Sequence, residues 1–263
     1  MIAHIKAAGA HTLIQHGASW KEADAYLRET VLAADPGGVY VPPFDHVDIW
    51  EGHATMMQEI KKQMDGKKPA AVVCSVGGGG LLCGVVRGLE EAGWGRVEVV
   101  AVETEGAESL AKSLEKGEVV TLEGITSRAT SLGAVRVCDG AWEVARRGNV
   151  RSVVLSDAEA AMGCWRLADD ERVLVEMSCG VSVALCYDGR LEKALGRKLG
   201  REDTVVVVLC GGSNVTLDML VKWREEFGWV EKGMPKREDV PSEQTAPSGY
   251  VARGGESPQP TKQ

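Results

Sequence analysis

The chain has 263 residues, 44% hydrophobic and 26% charged, which is typical of a globular protein with one large domain or two smaller ones. Its formal net charge of −8 argues against a nucleic-acid partner, and no apolar run is long enough to span a membrane. The seven cysteines are odd in number and include no Cys-x-x-Cys pair, so they indicate neither a zinc site nor a disulfide framework. A reducing, cytoplasmic location is therefore expected.

Residues 1–47 predict the remnant of a small α/β domain. A first strand is expected at His11–His16, and Ser19-Trp20-Lys21-Glu22 has the Ser-x-x-Glu order of a capping box. The helix that it opens should continue to about Ala34, where Pro and Gly residues end it. Val39–Val41 is then expected to form a second strand.

Residues 70–93 are the most informative stretch of the chain. Ala70–Val76 predicts a buried strand, four consecutive glycines follow, and Leu81–Glu91 has apolar residues at helical spacing. Glycines allow backbone N–H groups to approach a ligand closely, and the helix N-terminus adds about half a positive charge. The order of strand, glycine loop and helix therefore predicts a phosphate-binding cradle.

Two other interpretations of this stretch stay open. The glycines could only relieve crowding in a sharp turn, although one or two would suffice, and each costs roughly 0.5–1 kcal/mol of chain entropy. The cradle could instead belong to a nucleotide-binding module, because Val97–Glu103 predicts a second strand that ends in an acid. The loop itself matches neither the P-loop nor the dinucleotide fingerprint.

The remaining pattern alternates strands with helices. Residues 48–230 are expected to form one large domain, and residues 231–263, rich in Pro, Ser, Gly, Lys and Glu, a disordered tail. Helices are predicted at Ile49–Met64, Ala107–Lys116, Asp139–Arg147, Ser156–Asp169, over most of Gly180–Leu195, and at Val215–Phe227; strands are predicted at Val173–Val175 and Thr204–Cys210. This alternation predicts an α/β fold with a parallel sheet covered by helices on both faces.

Two of these strands end in glycine-bearing turns, Gly77–Gly80 and Cys210–Gly212. Ligands in parallel α/β folds bind beyond the carboxyl ends of the strands. A ligand site is therefore expected between the two turns.

Five segments, taken together, closely resemble the L-serine dehydratases: EGHATMMQEI, SVGGGGLLCGVVRGLEEAGWG, ETEGAESL, ITSRATSLGA and LCGGSN. These are serine/threonine ammonia-lyases of the tryptophan-synthase-β-like fold type II, which depend on pyridoxal 5′-phosphate (PLP). The resemblance runs from about Ile2 to Gly228. It implies an amino-acid-catabolising homodimer that converts L-serine, and also L-threonine, to a 2-oxo acid and ammonia by α,β-elimination.

The resemblance also assigns roles to single residues. It implies that the tetraglycine loop and the N–H of the following leucine hold the cofactor phosphate, namely Gly77, Gly78, Gly79, Gly80 and Leu81. Cys210 matches the residue that faces the pyridine nitrogen, where a thiol is a neutral partner that does not keep the nitrogen protonated. The alternative for Cys210 is a buried core thiol. His46 and His53 are interpreted as structural.

A monovalent cation, potassium, is implied as well. Its expected ligands are the Glu103 side chain and the backbone oxygens of Gly77, Ala107, Ser109, Leu132 and Ala134, an all-oxygen set that suits a hard cation. The alternatives for Glu103 are a solvated strand end and an acid that caps a helix at Ala107.

The family's Schiff-base lysine, in a Ser-x-Lys context, and its asparagine loop belong to a segment that the match does not include. The resemblance therefore implies no catalytic residue in this chain, and turnover by the chain alone is not expected. Three explanations compete: an incomplete gene model, a shortened protein with a non-enzymatic role, and a split enzyme. The incomplete gene model is favoured, because Met1 falls inside the expected small domain.

Overall fold

The computed structural model describes residues 2–17 and 20–231, so the predicted capping role of Ser19 and the predicted tail at 232–263 lie outside the described residues. The helices are α1 Ile2–Ala7, α2 Trp20–Tyr26, α3 Val47–Gln63, α4 Gly80–Glu91, α5 Ser109–Lys116, α6 Asp139–Ala145, α7 Asp157–Glu171, α8 Met177–Ala184, α9 Arg190–Leu195 and α10 Leu217–Phe227. The strands are β1 Ala71–Ser75, β2 Glu98–Thr104, β3 Val150–Leu155 and β4 Val205–Val207. A π-helical segment, Leu27–Leu32, extends α2, and short 3₁₀ turns occupy Thr130–Leu132 and Gly228–Val230.

The four strands form one parallel sheet in the order β3-β2-β1-β4. Strand β1 is central and completely buried, because helices cover both of its faces. Its side chains alternate between two apolar clusters, with Val73 packing on the side of α7, α8 and α10, and Val72 on the side of α3, α4 and α6. The predicted helix-covered parallel sheet is therefore confirmed.

Three predicted strands are wrong. The segments His11–His16, Val39–Val41 and Val173–Val175 form no strand, since none of them is paired with another chain segment within the described residues. The side chains of Val39 and Val41 are 85% and 69% exposed, so no apolar face holds that segment in place. The described part of residues 1–47 therefore contains helices but not the expected strands of a small α/β domain.

One strand was not predicted at all. Strand β3 lies at the edge of the sheet, and Arg151 and Ser152 interrupt its apolar run. Its residues are mostly half-buried, so the periodic signal is weaker than in the buried strands.

The register of the sheet places two turns side by side. Val73 of β1 pairs with Val207 of β4, and the Val208 N–H donates to the Val73 carbonyl over 2.9 Å. Because the strands are parallel, the glycine loop after β1 and the Cys210–Gly212 turn after β4 emerge at the same edge. No helix in the described part of the chain is long and apolar enough to cross a bilayer.

Candidate active site

A cavity of about 310 Å³ lies between these two turns, where the sequence predicts a ligand. The loop Gly77–Leu81 forms one wall, and Cys210–Gly212 forms another. The start of α8 contributes Glu176, and the segment before α3 contributes Phe44. A larger cavity of about 500 Å³ beside β3 and α9 contains none of the predicted site residues.

The glycine loop presents backbone donors to this cavity. Within the described residues, the N–H groups of Gly77, Gly78 and Gly79 have no protein acceptor. Those of Gly80 and Leu81 belong to the first turn of α4, where no intrahelical acceptor exists. Five successive N–H groups at a helix N-terminus form a site suited to a phosphate.

The same glycines are also required by packing. A Cβ on Gly78 would lie 2.2 Å from the Phe44 ring, and one on Gly80 would lie 2.6 Å from the Phe44 carbonyl oxygen. Gly79 has φ +94°, and a Cβ there would lie 2.3 Å from that of Ala141. Crowding therefore explains why these positions lack side chains, and the free N–H groups are the observation that indicates an anion.

Cys210 lies on the cavity wall and is exposed, so the interpretation as a buried core thiol is wrong. Removal from bulk solvent raises the pKa of its thiol, and the nearby Cys179 and Glu176 raise it further. Cys210 is therefore a neutral thiol at pH 7.

Glu103 is completely buried at the end of β2. Its two carboxylate oxygens accept from the Leu110 and Ala111 N–H groups, both over 2.8 Å, in the first turn of α5. Burial raises the pKa of this carboxyl to about 7, although the two hydrogen bonds lower it. Glu103 therefore does cap a helix, and it is not accessible to a ribose hydroxyl.

The other predicted cation ligands lie in two places: Gly77, Leu132 and Ala134 near the glycine loop, and Ala107 and Ser109 at or just before the start of α5. Gly77 adjoins Leu132, whose Cα would be 3.1 Å from a Cβ on that glycine. At the start of α5, Ser109 Oγ and Glu108 Oε2 are buried and have no hydrogen-bond partner within the described residues. Such unpartnered oxygens beside a buried carboxylate fit a hard cation. The described residues contain no group of three His, Cys, Asp or Glu side chains that could hold a metal ion, so any such site depends on carbonyl oxygens.

Several cavity residues were not predicted. Phe44, Ser131 and Glu176 line it, and so does His53, which the sequence indicated as structural. The glycine loop at 77–80 signals a ligand by itself, whereas these side chains come from separate parts of the chain. Among these residues, only Glu176 has a recognisable sequence context, because it directly precedes the apolar helix α8.

One lysine has the expected neighbour by sequence alone. Ser19-Trp20-Lys21 has the Ser-x-Lys order, but Lys21 is on α2 and lines a different cavity of about 360 Å³. The described residues place no lysine on the wall of the cavity between the glycine turns.

Comparison with known proteins identifies close relatives. The family model described as pyridoxal-phosphate dependent enzyme matches residues 1–211. The L-serine dehydratase of Saccharomyces cerevisiae (strain AWRI1631) is 44% identical over 233 residues, which are 84% of this chain and 69% of the yeast protein. The L-serine dehydratase/L-threonine deaminase of Bos taurus is 43% identical over 82% of this chain and 68% of its own length.

Solved structures agree with these matches. The fungal L-serine ammonia-lyase from Rhizomucor miehei superposes with a TM-score of 0.79 at 39% identity, covering 86% of this chain and 70% of the fungal chain. Threonine deaminase isoform 2 from Solanum lycopersicum gives a TM-score of 0.71 at 26% identity, covering 85% and 62%. The predicted tryptophan-synthase-β-like fold is thereby confirmed.

Proposed function

Because the chain belongs to the family of pyridoxal-phosphate-dependent enzymes, we propose that it is an L-serine ammonia-lyase that also accepts L-threonine. The reaction converts L-serine to pyruvate and ammonia, or L-threonine to 2-oxobutanoate and ammonia. The observation that carries this proposal is the series of free N–H groups on Gly77–Leu81, which shares one cavity with Cys210. The names of the relatives supply the substrates.

The residues of the loop fit the phosphate of PLP. The N–H groups of Gly77, Gly78, Gly79, Gly80 and Leu81 would donate to its oxygens, and the N-terminus of α4 adds favourable charge. When bound, PLP withdraws electrons from the Cα atom of an amino acid, so that the Cα proton can leave and a β-hydroxyl can be expelled.

Cys210 would face the ring nitrogen as a neutral partner. Its raised thiol pKa means that no thiolate forms there at pH 7, so the thiol can donate a weak hydrogen bond. Unlike a carboxylate, it does not hold a proton on the nitrogen. Elimination of a β-hydroxyl needs less electron withdrawal than transamination, and a neutral partner suits that reaction.

We also propose that potassium binds beside Glu103. The buried carboxylate and the unpartnered Ser109 and Glu108 oxygens lie together at the start of α5. A cation there would offset the cost of burying the charge. By the same resemblance, the functional protein is proposed to be a homodimer.

The rival function is a non-catalytic nucleotide- or PLP-binding module. Its main support was an acid positioned for a ribose, and both oxygens of that acid, Glu103, are bonded to α5. The described geometry therefore favours PLP over NAD as the ligand.

A protection experiment tests the proposal. The purified protein is treated with iodoacetamide, with and without PLP or NAD, and alkylation of Cys210 is measured by peptide mass spectrometry. PLP should slow the reaction at Cys210 and leave Cys186, the other exposed thiol, unaffected. Protection by NAD and not by PLP would refute the proposal.

A further inference from the structure

Glu176 is a buried acid on the wall of the candidate active site. Only 8% of its surface is exposed, and it directly precedes α8 as the N-cap residue. An acid at this position ordinarily accepts from the N–H groups of its own helix. The Glu176 side chain makes no such bond. Its carboxylate is used elsewhere.

The carboxylate of Glu176 holds the turn that contains Cys210. Its Oε2 atom accepts from the Asn214 N–H over 3.1 Å, and the Glu176 backbone N–H donates to the Gly211 carbonyl over 3.0 Å. Gly212 has φ +111°, and a Cβ there would lie 2.2 Å from Glu176 Cγ. The side chain of Glu176 is therefore packed and hydrogen-bonded against the turn at residues 211–214.

Glu176 is also the acid that acts on the Cys210 thiol. The titratable groups facing Cys210 are Cys74 on β1, Cys179 on α8 and Glu176 itself, while His53 on α3 lines the same cavity. The two cysteines are neutral at pH 7, because burial raises their pKa values. Burial is the main cause of the raised pKa of Cys210, the neighbouring Cys179 adds to it, and the negative charge of Glu176 raises this pKa further.

We propose that Glu176 is a positioning residue that fixes the Cys210–Asn214 turn and places a carboxylate beside the Cys210 thiol. As a role in catalysis, this rests on the proposed function, in which Cys210 faces the ring nitrogen. Glu176 would act on the cofactor only through the position and surroundings of Cys210. Nothing in the arrangement requires Glu176 to touch the substrate.

The test measures the chemical reactivity of the Cys210 thiol, a readout that does not depend on enzyme activity. Alkylation by iodoacetamide is followed between pH 6 and 10 by peptide mass spectrometry in the cofactor-free full chain, with Cys186 as the internal reference. Glu176→Gln keeps an oxygen that can accept from Asn214 but removes the charge. The alkylation rate of Cys210 at pH 7.5 should rise about threefold, because loss of the charge lowers the thiol pKa and half a pKa unit is about a threefold change in thiolate.

Two further variants complete the design. Glu159→Gln removes a half-buried acid that caps α7, and it should leave the Cys210 profile unchanged. Glu176→Asp keeps the charge, so the Cys210 rate should stay within about twofold of the wild type. This variant also decides the matter if Glu176→Gln does not fold, since a threefold or larger rise in the Asp variant would overturn the proposal.

The outcomes separate this inference from the proposed function. A Cys210 profile in Glu176→Gln that superimposes on the wild type overturns the role of Glu176, even if PLP protects Cys210. A shifted profile in a protein that PLP does not protect supports the electrostatic role and refutes the proposed cofactor instead.

Discussion

At the scale of single residues, Glu103 is a completely buried carboxyl group at the end of β2. A carboxylate without solvent is stabilised here by only two backbone N–H groups. Burial and the neighbouring Glu108 raise its pKa to about 7, which means that the folded protein binds a proton more tightly than the unfolded chain. Its ionisation should therefore oppose folding unless a cation is present.

This predicts a stability that falls with pH. Because the folded pKa is raised, the contribution of Glu103 is fully present below about pH 4 and is lost as the pH rises through 7. Without potassium, the free energy of unfolding should drop by on the order of 2–3 kcal/mol between pH 5 and pH 8. Urea titrations at both pH values measure this drop.

Potassium should reduce the drop at pH 8, whereas choline chloride at the same ionic strength should not. Glu103→Gln removes the titrating group and should flatten the pH dependence. An equal drop in the wild type and the Gln variant would assign the effect to another residue.

Cys210 gives a second prediction at this scale. Cys210→Ala removes the partner of the ring nitrogen without adding volume, so the protein should keep its PLP affinity but lose turnover by about tenfold, a loss equivalent to about 1.4 kcal/mol. Absorbance titration measures the PLP affinity. The rate of pyruvate formation from L-serine, in a preparation that carries out the reaction, measures turnover. Cys186→Ala, at the other exposed thiol, is the matched control. Equal turnover in both variants would contradict the assigned role.

At the scale of elements, the glycine loop depends on backbone conformation as well as on space. Gly79 and Gly93 both have positive φ angles, +94° and +75°, but only Gly79 has a neighbouring side chain in the position of a Cβ. A substitution at Gly93 therefore measures the cost of the backbone conformation alone, which is about 1–2 kcal/mol for an alanine in the left-handed region.

Alanine substitutions at the two glycines should differ accordingly. Gly93→Ala should lose about 1–2 kcal/mol of stability and keep its PLP affinity. Gly79→Ala should lose more stability, because the methyl group would lie 2.3 Å from that of Ala141, and its PLP affinity should fall at least tenfold as the loop shifts. Thermal denaturation and PLP titration separate the two effects. Unchanged PLP affinity in Gly79→Ala would place the phosphate elsewhere.

The buried elements could be predicted from sequence because their signals are local. Strand β1 is a continuous apolar run, and the predicted helix α7 begins with a capping box, in which Ser156 and Glu159 bond reciprocally. The prediction missed strand β3 and wrongly placed a strand at Val39–Val41. Both errors have one cause, because whether an apolar run becomes a strand depends on a neighbouring segment that is distant in sequence.

The candidate site divides in the same way. The glycine loop and the Cys210–Gly212 turn were evident from sequence, since each follows a predicted strand, whereas the role of Cys210 is implied only by the resemblance. Phe44, His53 and Glu176 could not be placed there, because only the folded chain brings them to the cavity. The residue assignments themselves stay predictions.

At the scale of the whole molecule, an ion-pair cluster connects the end of the described chain to its core. The side chain of Glu231 is 1% exposed and pairs with Arg166 over 2.7 Å and with Arg190 over 3.4 Å. Both arginines also pair with Asp188 over 2.8 Å, so the cluster joins α7, α9 and the segment after α10. The predicted tail was set to begin at 231, but this residue is part of the folded body.

Removing the Glu231 carboxylate should therefore destabilise the entire domain. In Glu231→Gln, Arg166 and Arg190 lose one anionic partner but keep Asp188, and the loss of a hydrogen bond to a charged group costs about 2 kcal/mol. Glu226→Gln is the matched control, because Glu226 is half exposed and pairs with the exposed Arg128, so its loss should cost at most about 1 kcal/mol. Urea unfolding of the full chain, followed by circular dichroism, compares the two variants. Because the cluster joins three separate segments, Glu231→Gln should still unfold in a single cooperative transition, with its midpoint at a lower urea concentration. Equal midpoints for the two variants would show that the contact of Glu231 with the core does not stabilise the fold.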